Sequence, residues 1–226
     1  MPVSIPDQIT GSLDIMVALA DEAAAEPQAL VELLSTWVRA LEIGLFGPGR
    51  IRLQGAVESH GRTASAVIEC EDVSRVAIHV LSRMIRYFSD VKGKVDNFAV
   101  FYAGQQVVAA GRMQIPALPP SIPFTVEYPE DLKHYVRIEI EFRNPITANE
   151  RDAIFDAFSI WDAVIEALGE ERRQGRRVDY RSRLLSPAMV EHHVHGYHAP
   201  FECLYFIVWL ALRLHRRLTI ERLTME

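Results

Sequence analysis

Apolar and polar side chains alternate most plainly in the second half of the chain. Val136, Ile138, Ile140 and Phe142 are interleaved with Arg137, Glu139, Glu141 and Arg143. A period of two predicts a strand with one buried and one wetted face. Asn144 and Pro145 end the run, and Thr147-Ala148-Asn149-Glu150 has the spacing of a capping box that opens a helix. Ile154, Phe155, Phe158, Trp161, Ile165 and Leu168 then recur at helical spacing, up to a stop at Gly169. Val178, Tyr180 and Leu184 predict a second strand, Ser186-Pro187 a turn, and Met189 to His198 a third strand. Pro200 leads into an apolar helix from Phe201 to Arg216, and Leu218 to Leu223 reads as a last strand. The order is β-α-β-β-α-β, the split βαβ pattern.

The first half reads the same way. Leu13, Ile15, Val17 and Leu19 alternate with Asp14, Met16 and Ala18, and a helix runs from Pro27 to about Phe46. Ile51 to Glu58 and Thr63 to Glu69 form an expected hairpin around Ser59-His60-Gly61. Glu71-Asp72 are expected to cap a helix whose apolar face holds Val76, Ile78, Val80, Leu81, Ile85 and Phe88. Phe98, Val100 and Tyr102 mark a further strand, and Gln106 to Met113 one more. Each half also sets a Trp in its first helix, Trp37 and Trp161. Six elements recurring in order point to a duplicated unit.

Between the halves, Ile115 to Pro123 carries Pro116, Pro119, Pro120 and Pro123. Proline lacks an amide donor and restricts its predecessor, so the segment predicts a stiff linker. The expected organisation is a first half over 1–114, a linker over 115–125 and a second half over 126–226. The expected fold is α+β: tandem ferredoxin-like (βαββαβ) repeats, with antiparallel sheets covered by helices on one face.

Charge narrows the picture. The 226 residues include 24 Lys and Arg against 30 Asp and Glu, a formal net charge of −6. Phosphate binding needs a dense positive face, so nucleic acid is not the expected partner. Of the cations 21 are Arg and 3 are Lys, as expected of a GC-rich bacterial genome. Cys70 and Cys203 predict small buried thiols rather than a disulfide framework. Met1 to Thr10 lacks a basic, then apolar, secretion pattern. The most apolar run, Cys203 to Leu212, is half the roughly twenty residues a membrane span needs. A cytoplasmic chain without a membrane partner is the expectation.

Candidate chemistry follows from the alternation. If Val136, Ile138 and Ile140 face the helices, then Arg137, Glu139 and Glu141 face outward. Arg181 and Arg183 on the second strand join them, as do Glu191 and Tyr197 on the third. Burying such unpaired charges dry would be costly, so this charged sheet face must meet water, a polar partner or a ligand. His193 and His195 point the same way, about 7 Å apart by strand rise. With Glu139 or Glu141 they could hold a divalent transition metal such as zinc. The competing reading is a solvated cross-strand network with no cofactor.

Other chemistry finds little support. Gly44, Gly47 and Gly49 follow a helix and do not form a phosphate loop. No GxSxG elbow occurs, and sets of Ser, His and Asp can be drawn from any chain of this size. Sheet-face RNA readers display aromatics where this chain places charges. The expected function is a non-catalytic protein-binding module, of the kind by which a bacterial immunity protein neutralises a toxin through a charged surface. The alternative is a metal-dependent enzyme or metal-binding protein using the His/Glu patch. Exposed edges such as Val107 to Met113 leave a homo-oligomer open.

Overall fold

The computed structural model describes residues 3–20, 27–92, 94–108, 113–129, 135–169, 179–195 and 199–226. The chain divides into two compact units, Met1–Pro116 and Ala117–Glu226. Each is mixed α+β, with an open sheet and two helices among the described residues.

The first unit runs β1 (Val3–Ser4), β2 (Gln8–Leu19), α1 (Pro27–Glu42), β3 (Arg50–Leu53), β4 (Glu58–His60), β5 (Thr63–Ser74), α2 (Val76–Val91), β6 (Val95–Tyr102) and β7 (Gln105–Val108). Its sheet order is β1-β7-β6-β2-β5-β3, with β4 also on β5. The second unit runs β8 (Thr125–Glu127), β9 (Tyr135–Phe142), α3 (Ala148–Leu168), β10 (Asp179–Ser186), β11 (Met189–His195), a 3-10 turn at Phe201–Cys203, α4 (Leu204–His215) and β12 (Ile220–Met225). Its order is β10-β11-β9-β12-β8. Two marginal pairs, β1 with β7 and β8 with β12, are parallel; the other pairs are antiparallel. The sets β6-β2-β5-β3 and β12-β9-β11-β10 therefore share one strand order.

The cores explain the helices. Trp37 on α1 and Trp161 on α3 are fully buried. A buried indole needs a partner for its N–H. Trp37 Nε1 donates to the Ala77 carbonyl at the start of α2 (2.8 Å), and Trp161 Nε1 to the Cys203 carbonyl just before α4 (3.4 Å). Helix α3 opens with the expected capping box: Thr147 Oγ1 accepts from the Glu150 amide and Glu150 Oε2 from the Thr147 amide. Both thiols are buried, and burial first, with Glu69 and Glu202 adding, pushes Cys70 and Cys203 up to about 12.

Several local expectations are corrected. Glu71 and Asp72 do not cap a helix; they continue β5, and α2 begins only at Val76, whose amide donates to Ser74 Oγ. The polar pair reads like a cap because Asp72 stands at an irregularity, with φ +53 and an amide bonded to Thr10 Oγ1. Opposite it, the register shifts between Ile9 and Gly11. Gly49 passes so close that a Cβ there would lie 2.5 Å from the Asp72 carbonyl oxygen, so this crossing requires glycine. The Ile51–Glu58 strand is shorter than expected: β3 stops at Leu53 and β4 is a separate segment. Helix α1 stops at Glu42, and the last helix begins as a 3-10 turn. Of the expected Gln106–Met113 strand, β7 covers Gln105–Val108, and 109–112 lie outside the described residues. Residues 113–123 hold neither helix nor strand.

Candidate functional site

The second sheet is where the predicted site residues meet. On β9 the burial alternates along the whole strand: Val136, Ile138, Ile140 and Phe142 are buried, while Tyr135, Arg137, Glu139 and Glu141 are half-exposed. Directly paired residues of antiparallel strands share a face. His195 lies opposite Tyr135 and Asp179, His193 opposite Arg137 and Arg181, and Glu191 opposite Glu139 and Arg183. On the other side, Glu139 pairs with Thr224 and Glu141 with Arg222. Arg137, Glu139, Glu141, Arg181, Arg183, Glu191, His193 and His195 thus stand in cross-strand rows on one face. Tyr197 lies outside the described residues.

The rows are largely paired within themselves. Arg137 bonds to Glu226 and lies 3.6 Å from Glu139. Arg222 sits 3.9 Å from Glu141 and 4.0 Å from Glu127. Thr224 Oγ1 donates to Glu127 at 3.2 Å.

Glu191 departs from the expectation of a wetted side chain. It is on the open face, yet its side chain is only 2 % exposed. Neighbours on the same face cover it: Arg183 donates to it through Nε, and His193 Nε2 lies 2.5 Å away. The His193 contact is close but poorly aligned, which leaves that nitrogen without a well-directed hydrogen bond. Desolvation alone would raise the Glu191 carboxyl, but the hydrogen bond and charge of Arg183, with His193 close beside it, outweigh it and hold it below the usual range. Arg183 itself keeps most of its side chain in water.

His193 is held on its other side as well. Its Nδ1 lies 2.7 Å from the Tyr135 hydroxyl. Desolvation, opposed by Arg137 and reinforced by Glu191, raises the Tyr135 phenol. The Tyr135 and His195 rings are tilted together at 4.8 Å, and the two histidine rings lie 6.4 Å apart. Both His193 nitrogens therefore already face protein groups. Among the described residues, no three His, Cys, Asp or Glu side chains gather as a metal site.

A second polar cluster lies on the helix-covered side of the same strands. His192 is 1 % exposed, with its ring flat against Phe158 at 4.5 Å. Its Nε2 is 2.8 Å from Asp162 Oδ1 and its Nδ1 is 2.8 Å from Ser182 Oγ. Desolvation raises the Asp162 carboxyl even though its hydrogen bond and charge interaction with His192 pull it down. Sequence reasoning missed this cluster because its members come from α3, β10 and β11. The available signal was a polar His192 and Asp162 at positions that both periodicities assign to the interior.

Among the described residues, no helix is long and apolar enough to cross a membrane. No protein-family model matches this sequence, and no curated protein is similar to it at a significant level.

Proposed function

We propose that this chain is a protein-binding module whose docking surface is the open face of the second sheet, extended to the outer strand β10. The observation that carries the reading is a charged face whose side chains are held in place before any partner arrives. Arg137 bonds to Glu226, Glu191 to Arg183, and Tyr135 contacts both histidines. Preorganised side chains lose little rotamer freedom on association, so more of the contact energy appears as affinity. At the β10 margin, Arg181 is exposed and Leu185 is 41 % exposed. Arginine beside apolar surface is the composition of energetic centres at protein interfaces. With a net charge of −6, the partner fits a basic protein steered by complementary fields, as a bacterial toxin neutralised in the cytoplasm by an immunity protein would be.

The same reading takes both units as ferredoxin-like repeats of one duplicated ancestor. The shared strand order and the matched tryptophans support it. In a duplicated chain, one open face can specialise for binding while the other is released from that role.

The test is affinity purification of the tagged chain from its own cells, beside a Glu139→Lys/Glu141→Lys variant with an unchanged melting curve. A stoichiometric protein partner that salt releases and the variant loses supports the reading. No stoichiometric partner, or equal capture by the variant, removes it.

A further inference from the structure

On the helix-covered side of the second sheet, we propose that Ser182 is a nucleophile that accepts small apolar acyl groups from esters, with His192 as its base and Asp162 holding that base in place. This inference is independent of the docking face, which lies on the opposite side of the same strands.

The three side chains form one hydrogen-bonded row: Ser182 Oγ to His192 Nδ1 at 2.8 Å, and His192 Nε2 to Asp162 Oδ1 at 2.8 Å. A carboxylate can only accept, so a neutral ring must present Nε2–H to Asp162. Nδ1 then carries the lone pair and faces the serine hydroxyl, which is the arrangement of a general base. Which nitrogen plays which part is the reverse of the familiar order, but the roles follow geometry rather than atom labels. The ring cannot swing away: Phe158 stacks on it at 8° and the Trp161 edge closes it at 5.9 Å. His192 and Asp162 are buried, so the pair acts in a low dielectric.

Ser182 differs from its two partners. It is half-exposed and stands on β10, the outermost strand of the sheet. Its same-side neighbours along the strand are half-exposed Tyr180 and exposed Leu184. An acyl group reaching Ser182 from the edge therefore meets an aromatic ring and an aliphatic side chain, which selects a small apolar chain over a charged one.

The chemistry balances without a further reagent. The Ser182 Oγ–acyl carbon bond forms as the hydroxyl proton passes to His192 Nδ1. The ester C–O bond then breaks, and the alcohol leaves with that proton. Water attacks the acyl-serine, gives a proton to the same nitrogen, and Ser182 regains it as the carboxylic acid departs. The geometry assigns a nucleophile and base but no oxyanion donor, so the direct readout is covalent labelling.

The experiment incubates the intact chain with p-nitrophenyl butyrate and, separately, with an alkyl fluorophosphonate, then maps adducts by peptide mass spectrometry. The expected result is a stoichiometric adduct on Ser182. Asp162→Asn, which leaves the ring in the wrong tautomer, is expected to slow labelling by roughly 10³–10⁴-fold. Absence of an adduct on Ser182 in the folded wild-type chain overturns the proposal. So does labelling of Asp162→Asn at the wild-type rate, since the row would then only pack β10 against α3.

Discussion

The open faces of the two sheets differ far more than their frameworks do. In the first unit, Met16 and Ala18 on β2, Ser65 and Val67 on β5, and Ala99 and Phe101 on β6 occupy the side away from the buried Ile15, Ala66 and Val100. Its charges on β2 and β5 are Asp14, Glu69 and Glu71, the two glutamates facing Arg52 and Arg50 at the β3 margin. In the second unit, the corresponding strands carry Arg137, Glu139, Glu141, Glu191 and His193. The inward face must bury apolar area and set the register, and it does so alike in both units. The outward face is under no such demand. It is there that chemistry can diverge without disturbing the strand order.

The sharpest test of the common framework is Trp37→Ala against Trp161→Ala. Each removes a fully buried indole, and each is expected to cost about 3–5 kcal/mol in chemical denaturation. A large loss in one and a small loss in the other would end the equivalence of the two cores.

The next effect separates the open faces. Glu191→Ala removes a carboxylate bonded to Arg183, while Arg183 can return to water, so the expected loss is about 2 kcal/mol. Glu69→Ala on the first sheet removes a half-exposed side chain bonded to Gln54 and is expected to stay within about 0.5 kcal/mol. The two losses being equal would mean that the cover over Glu191 contributes nothing.

Titration divides the second unit again. The lowered carboxyl of Glu191 contributes stability above its ordinary value of 4.5, and that contribution is lost as pH falls through its folded value. Asp162 has the opposite sign. Its raised carboxyl binds a proton more tightly in the folded chain, so its contribution is greatest at low pH and is lost as pH rises past 3.8. Urea titrations between about pH 3 and 7 should show Glu191→Gln with a flatter acid limb and Asp162→Asn with a steeper one. The smallest comparison concerns helix starts. Thr147→Ala is expected to cost about 1 kcal/mol through its capping box, whereas Arg75→Ala at the start of α2, where the Arg75 side chain makes no cap bond, removes no such bond.

Much of this was legible where one physical signal dominated. The alternation from Val136 to Phe142 fixed both faces of β9, and Thr147 with Glu150 marked the start of α3. Strands β1 and β8 were missed because two or three residues carry no period; parallel pairing at a sheet margin creates them. Asp72 misled because a polar residue at an irregular strand position resembles a cap. The side of Glu191 was legible, but its burial was not, since that depends on where the long side chains of neighbouring strands lie. The Ser182–His192–Asp162 row was out of reach for a related reason: thirty residues separate Asp162 from His192, and only the packing of α3 on the sheet joins them.

Strand β10 ends its sheet, so one side of its backbone has no neighbouring strand among the described residues. Such an edge is a template for adding further strands, and exposed Leu184 and Leu185 would reward the addition. Arg181 and Arg183 set like charges against any second copy that approaches in register. Neutralising the exposed Arg181 is therefore expected to make this edge more prone to pair with a second copy, a colloidal cost even where folding is untouched.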